Sequence, residues 1–523
     1  MIILDEENIA KILEERKHMK FRLIIQGIII GLLVGIVIVL NRILITKFTA
    51  VFKKFYLWGN KGIVNIFLVL IVLAFLGLIV GYMSKEEPMI AGSGIPQVKG
   101  RVLNKLKLNW LRILVLKFFG GVIALSAGLT LGREGPSVQI GASVGEGVAE
   151  KTYKRFPVKK EFLITAGASA GLSAAFNSPL SGIIFALEEI HRSFSPLVLL
   201  PAMAAAITAD FVSKNFLGME PSLNFSELTI MPLKYYWILI LLGIFVGIMG
   251  VLFSKGIVLF QNIYGKFKNL KIEVKVMIPF VITGVVGLLY PSLLGGGHEL
   301  IMDLTSSEMN LLVLIIIYIL KFLLLLICFG SGVPGGIFLP MLLLGAILGN
   351  ITGVISVDYF GVSAIYITNF IALGMAAYFS AVVKAPITGI VLIMEMTGSF
   401  SHLLSLSVVV IISYITSELL RNEAIYETLL ERLLKKVGVT SNEDNDKKTI
   451  LEFVVEMGSV AEGKYINEVE WPKDSLLVSI KRGEKEIIPR GYVKLENGDY
   501  IVILVNLDKS PQVIEEVNSL TLV

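Results

Sequence analysis

The chain has 523 residues, of which 55% are apolar and 17% charged, whereas an average soluble domain carries about 25% charged residues. That balance excludes a cytosolic enzyme, a disordered scaffold and a nucleic-acid binder, and leaves a polytopic membrane protein; the formal charge of +5 follows from the basic residues expected beside membrane segments. The lone Cys328 excludes an internal disulfide and a cysteine-cluster metal site, and no metal is expected.

Charge also divides the chain. Residues 421–523 carry 14 Lys/Arg and 19 Asp/Glu, and residues 1–420 carry 33 and 23. A sparsely charged, net basic body therefore precedes a densely charged, net acidic tail. Residues 1–22 are charged and helical in pattern, and lack the apolar region and small-residue cleavage site of a secretory signal. They predict an amphipathic surface helix whose basic end (Arg16, Lys17, Lys20 and Arg22) favours a cytoplasmic N-terminus. The first loop, with Lys53, Lys54 and Lys61, is basic as well, so charge counting alone leaves the orientation open. Apolar runs at 23–46, 63–83, 111–131, 235–260, 274–294, 310–329 and 403–420 are each able to cross a bilayer core of about 30 Å.

Apolar stretches broken by Gly and Pro lie between these runs, at 132–148, 162–190, 333–349 and 370–397. In hydrocarbon a broken backbone survives only where it is buried in protein or lines a polar cavity. A helix that starts there presents free N–H groups and a positive dipole end. The broken stretches also match one another. GREGPSVQIGASVG places Gly132, Pro136, Gly141 and Gly145 where GIFLPMLLLGAILG places Gly336, Pro340, Gly345 and Gly349, at a constant offset of 204. Next, GASAGLSAAFNSPLSGIIFALEE matches GMAAYFSAVVKAPITGIVLIMEM at an offset of 207, aligning Pro179 with Pro386, Gly182 with Gly389 and Glu188 with Glu395. Two successive matches in one order indicate an internal duplication of about 63–230 onto 235–430. Whether the halves are inverted is not legible in the sequence.

Taken singly, GSGIP around Ser93 reads as a turn, Glu134 in GREGP as a partner of Arg133, and GSGVPGGIFLP as a packing turn. Together they ask for an anion. A desolvated ion costs several kcal/mol even after relaxation, and one helix N-terminus returns at most about 2 kcal/mol. Several N-termini must therefore converge, helped by hydroxyl donors. A cation would instead want rings of carboxylates or carbonyls, and these loops hold too few acids.

GSGIP, GREGPSVQIG and GSGVPGGIFLP, in this order and with this duplication, resemble the CLC chloride channels and chloride/proton antiporters. The resemblance runs over about residues 20–430 and includes GGGHEL at 295–300 and APITGIVLIMEMT at 385–397. It implies an all-α polytopic membrane fold of two inverted repeats with broken and re-entrant helices over residues 23–430, and a homodimer with one anion pathway in each subunit. It further implies a cell-membrane location with both the N-terminus and the tail cytoplasmic. Carried over by motif, Ser93, Gly94 and Ile95, Gly132, Arg133 and Gly135, Ile337 and Phe338, and Tyr426 in NEAIYETLLERL would bind the anion. Glu134 resembles the gating glutamate. Serine at position 93 goes with chloride in the family, whereas plant nitrate exchangers have proline there.

Glu189, in LSGIIFALEEIHRSF, falls where the family's exchangers carry an internal proton-transfer glutamate, with Glu188 before it as a structural partner. The other reading pairs Glu189 with His191 or Arg192 at the membrane edge. The resemblance thus implies a chloride/proton antiporter with Glu134 and Glu189 as its two acids, the alternative being a passive, voltage- or ligand-gated chloride channel; neither is an enzyme. Lys117 and Lys321, in apolar runs, are expected to pair with carboxylates or to snorkel, and His298 to be a loop residue.

In the tail a helix is expected over 423–437, then a linker spanning 431–449 with SNEDNDKK. Strands are expected at TILEFVVEM, LLVSIKRG, EIIPRG, YVKL and DYIVILVN, and a helix near 510–518. The run IKRGEKEIIPRGYVKLENGDYIVIL resembles the TrkA-C (RCK-C) regulatory domain, implying a small α+β module over 450–523 that dimerises. In some members it binds a cyclic dinucleotide or another small ligand, for which Ile487, Ile488, Pro489 and Arg490 would be the pocket. No other cofactor is expected.

Overall fold

The computed structural model describes residues 6–152, 159–225, 228–306, 309–439, 448–483, 485–506 and 509–522, with side chains from Met19 onward. The chain forms two compact units, Met1–Leu433 and Leu434–Val523. Among the described residues, eight helices are long and apolar enough to cross a membrane.

The first unit opens on α1 (Glu6–Gly59), a single helix of 54 residues and about 80 Å. From Glu6, the surface helix expected over 1–22 runs on into the first span with no backbone break; residues 1–5 and the side chains of Arg16 and Lys17 lie outside the described residues. α2 (Ile63–Glu86), the short α3 (Ile95–Val102), α4 (Trp110–Ser126), α5 (Glu134–Thr152), α6 (Lys160–Phe176) and α7 (Pro179–Phe185) follow. α8 (Pro196–Leu217) is long and apolar enough to span, although it is not among the apolar runs expected from the sequence, where alanines, Asp210 and Lys214 make it less apolar than its neighbours. It is recruited by packing. A Cβ at Gly27, Gly31 or Gly35 of α1 would run into Pro201, Ala205 or Val212 of α8, so this glycine ladder lets two backbones touch.

The second half runs through α9 (Tyr236–Lys266), α10 (Ile272–Leu289), α11 (His298–Ser306), α12 (Leu311–Gly330), α13 (Phe338–Phe360), α14 (Ile367–Val383), α15 (Pro386–Thr397), α16 (Leu403–Leu419) and α17 (Ile425–Val437). The duplication is visible in the packing. A Cβ at Gly141 or Gly145 of α5 would strike the carbonyl of Gly167 or Leu163 of α6, and the equivalent Gly345 and Gly349 of α13 meet Gly374 and Phe370 of α14 in the same way.

The halves are inverted, as an exchange of caps between two equivalent helices illustrates. Glu188, beyond the end of α7, accepts from the first amides of α15: Ile387 N at 3.2 Å and Thr388 N at 2.8 Å. Glu395, near the end of α15, accepts from the first amides of α7: Leu180 N at 3.0 Å and Ser181 N at 2.7 Å. Each helix start lies against the other's end, so α7 and α15 are antiparallel. Glu188 is therefore the structural residue expected, although its partners belong to the other repeat.

The tail unit is a four-stranded antiparallel sheet in the order β1 (Lys448–Val454), β4 (Tyr500–Asn506), β2 (Ser475–Arg482), β3 (Lys485–Ile487), followed by α18 (Ser510–Thr521). The predicted strand YVKL is not one: its backbone bonds go to Gly463, Lys464, Ile466 and Arg490, with a single bridge between Tyr465 and Lys494. Linker residues 440–447 lie outside the described residues. Phe453, Val455, Ile480, Ile501, Ile503, Val513 and Val517 form a core of this unit's own. Buried Asp499 accepts two bonds of 2.8 Å from Arg482, and that bond holds the guanidinium above its usual range.

Candidate anion and proton site

The three Gly/Pro loops that precede α3, α5 and α13 are bonded to one another. Gly92 N donates to Val333 O at 3.2 Å and Gly335 N to Gly92 O at 3.0 Å, while Gly132 and Gly336 exchange two bonds of 2.7 Å. The last two are equivalent residues of the repeats, paired antiparallel where the halves meet. Lys117 braces this junction, donating to Ile90 O at 2.7 Å and Gly92 O at 2.6 Å. Its repeat equivalent Lys321 donates to Leu293 O and Gly295 O, both at 2.8 Å. The expectation that these lysines pair with carboxylates or snorkel is not met: among the described residues both satisfy loop carbonyls in the interior. His298 reaches back to Ser222 O at 2.7 Å at the start of α11.

Bonding the loops together brings three helix starts close to one another. Gly94, with φ of 91° and with Gln139 where a Cβ would be, admits no other residue before α3. Gly135 leaves no room for a Cβ because the Ser93 hydroxyl and Gly336 occupy it. Neither Gly94 before α3 nor Ile337 before α13 caps its helix with a side chain. Ile95 and Phe338 are buried at those two starts.

Ser93 and Tyr426 are both buried, and among the described residues neither hydroxyl has a hydrogen-bond partner. The Tyr426 hydroxyl lies beside that of Ser93 and within electrostatic reach of Glu134 and Glu189. Tyr426 is held by aromatic packing: its ring meets Phe185 edge-on at 6.5 Å, and Phe185 meets Phe338 at 5.9 Å. Buried hydroxyls without a protein acceptor need one from elsewhere, and two O–H donors beside uncapped helix starts suit an anion.

Glu134 is the first residue of α5 and fully buried. Its carboxylate fills the space over Gly132 and faces its own amide and that of Leu339 in α13. Arg133 Nε stands 3.9 Å away, beyond hydrogen-bond range. The Arg133 partnership is therefore loose, and among the described residues neither carboxylate oxygen makes a hydrogen bond; the carboxylate stands beside amides that an incoming anion would use.

Glu189 sits in a π-helical turn, Ala186–His191, after α7. It pairs with neither His191 nor Arg192. Its partner is Lys99 of α3, at 2.8 Å, and Lys99 also meets Glu427 of α17 at 2.7 Å. His191 instead contacts Thr165 Oγ1 at 3.0 Å, and Arg192 pairs with Glu427 at 2.7 Å. Sequence reasoning missed Lys99 and Glu427, although a lysine in the first two turns after GSGIP was available as a signal. It also missed Arg42 of α1, a lone cation in an apolar run, which donates to Ala174 O and Asn177 Oδ1, each at 2.8 Å. In the tail, Ile487 and Pro489 are half-buried, whereas Ile488 and Arg490 are exposed. Among the described residues, no three His, Cys, Asp or Glu side chains gather as they would around a metal ion.

Inverted halves that meet at broken helices, with buried donors converging on their junction, define a polytopic membrane protein of the transporter type. Residues 76–418 match the voltage gated chloride channel family and residues 450–518 the TrkA-C domain. The chain belongs to the voltage gated chloride channel, or CLC, family and carries a TrkA-C domain after its membrane body. It is 34% identical over 423 residues to the H(+)/Cl(-) exchange transporter ClcA of Vibrio parahaemolyticus, covering 79% of this chain and 90% of that one. To the transporter of the same name from Yersinia pestis it is 37% identical over 358 residues, 68% of this chain and 75% of the other. The crystal structure of a slow cyanobacterial Cl-/H+ antiporter superposes with a TM-score of 0.76 at 29% identity, over 80% of this chain and 99% of that one. A CLC-type fluoride/proton antiporter, at 24% identity and a TM-score of 0.64 over 78% of this chain and 97% of the other, shares the fold.

Proposed function

We propose that this protein exchanges chloride for protons across the cell membrane, with Glu134 as the gate and Glu189 as the internal proton acid. The observation that carries this reading is the place of Glu134: a buried carboxylate facing the amides at the starts of α5 and α13. Ionised, it competes with chloride for those donors. Protonated, it releases them, so anion passage and proton binding become linked. Glu189, buried on the π-helical turn, supplies a second acid. Ser93 and Tyr426 donate hydroxyls to the anion, and the backbone around Gly94–Ile95, Gly132–Gly135 and Ile337–Phe338 completes its shell. Exchange activity in the names of the relatives and of the cyanobacterial structure supports the assignment.

The protein works as a homodimer with a pathway in each subunit, its N-terminus and tail cytoplasmic. The tail binds a small regulatory ligand such as a cyclic dinucleotide at Ile487–Arg490, where Ile488 and Arg490 are exposed. One observation favours the second reading, a passive chloride channel: the ion pair between Glu189 and Lys99 could serve structure alone. Purified protein in chloride-loaded liposomes decides. Under a chloride gradient at clamped voltage, uphill proton movement is expected in the native protein and is lost in Glu134→Gln and Glu189→Gln while chloride flux persists. Chloride flux with no proton movement in the native protein would make it a channel.

A further inference from the structure

Glu189 is not a solitary acid. It ends a row of alternating charges that passes from the surface into the interior: Arg192, Glu427, Lys99, Glu189, with side-chain exposures of 51%, 27%, 1% and 3%. The successive contacts are 2.7, 2.7 and 2.8 Å. Lys99 is the buried link, and its one ammonium serves two carboxylates. An ammonium stripped of water requires such compensation. Any proton that Glu189 takes up therefore changes a shared charge balance and not an isolated pair.

The remaining ionisable groups around this turn are engaged elsewhere. Glu188 caps α15, His191 faces Thr165 of α6, and Glu161 of α6 accepts from Asn104 at 2.8 Å. Asp210 and Lys214 of α8 pair with each other at 2.8 Å, more than three turns beyond the start of that helix. From α17, Tyr426 faces Glu189 alongside Glu427. Lys99, Arg192 and Glu427 are thus the charged groups that set the electrostatics of Glu189, with Lys105 acting on Glu427 as well.

We propose that Lys99 is a positioning residue for the proton step, and that Glu427, fixed by Arg192, sets how much of the Lys99 charge Glu189 receives. The proposal rests on the reading of Glu189 as the internal proton acid. Its physical content is a pair of opposite signs. Removing the Glu427 charge leaves Lys99 to Glu189 alone, favours the carboxylate, and demands a lower pH for proton uptake. Removing Lys99 leaves two facing carboxylates and favours the protonated acid. A residue that only held the fold together would impair transport without moving the pH dependence in either sense.

The test uses the full chain in liposomes and follows initial proton and chloride flux against the pH of the tail-facing side. Glu427→Gln is expected to move the midpoint of the proton-flux profile to lower pH by about one unit, and Lys99→Met to higher pH by a similar amount. The double variant should fall between them. Glu427 is partly exposed, so Glu427→Gln tests the proposal even where Lys99→Met fails to fold. Coupled proton flux that survives Glu189→Gln would overturn the reading of Glu189. Proton flux that depends on Glu189 but keeps its midpoint in Glu427→Gln, or moves the same way in both variants, would overturn the role of Lys99 alone.

Discussion

Ser93 and Tyr426 lie far apart in the chain and come together as two buried hydroxyls with no acceptor among the described residues. A hydrogen bond to a charged group contributes about 1.5 kcal/mol or more, so Ser93→Ala and Tyr426→Phe are each expected to weaken chloride binding about tenfold, read by calorimetric titration of the purified protein. Gly135→Ala should do at least as much harm, because its Cβ would displace the Ser93 hydroxyl. At this scale the sequence was informative where chemistry is local: Ser93, Glu134 and Gly94 stand in recognisable loops. Lys99 after GSGIP was visible as a charge near the loop, but its meeting with Glu189 and Glu427 was not, because α3, the turn after α7 and α17 come together only when the helices are packed.

At the scale of elements, inverted repetition is the organising fact, and its junction is built from equivalent residues. Glu188 and Glu395 each cap the other repeat's short helix, and Ser181 and Thr388 add hydroxyl bonds of 2.6 and 2.7 Å to them. Losing a cap costs about 1–2 kcal/mol; Glu188→Ala and Glu395→Ala should therefore lower the Tm in detergent by similar amounts, a symmetry that an accidental contact would not produce. The glycine contacts between α5 and α6 make a second forecast. Gly141→Ala would place a methyl group on the Gly167 carbonyl, and overpacking of this kind costs about 1–3 kcal/mol, again visible in Tm. The offsets of 204 and 207 made the duplication legible in the sequence. Inversion was not, since two stretches can match in order without declaring their directions in space.

For the whole molecule, the division into a membrane body and a tail follows from material. The body turns many large apolar side chains outward, as a lipid-facing surface does, and the tail buries a small core of its own. In the tail, Arg482→Met would leave the fully buried Asp499 carboxylate, among the described residues, with only the Glu496 amide at 2.9 Å. We expect that to destabilise the tail by about 2 kcal/mol, measured as a lower melting transition of that unit in calorimetry. The proposed homodimer predicts two copies per particle in detergent by light scattering.

By itself the sequence determined the membrane class, the charge boundary before the tail, the duplication and the broken loops, because hydropathy, composition and the placing of Gly and Pro act over short stretches of chain. Only the tertiary structure decided that α8 packs along the glycine ladder of α1, that Lys117 and Lys321 brace carbonyls, that the halves are inverted, and that Glu189 shares Lys99 with Glu427. Each of these depends on which distant groups are driven out of water together. Burial fixes the partner of a charge, and burial belongs to the folded chain.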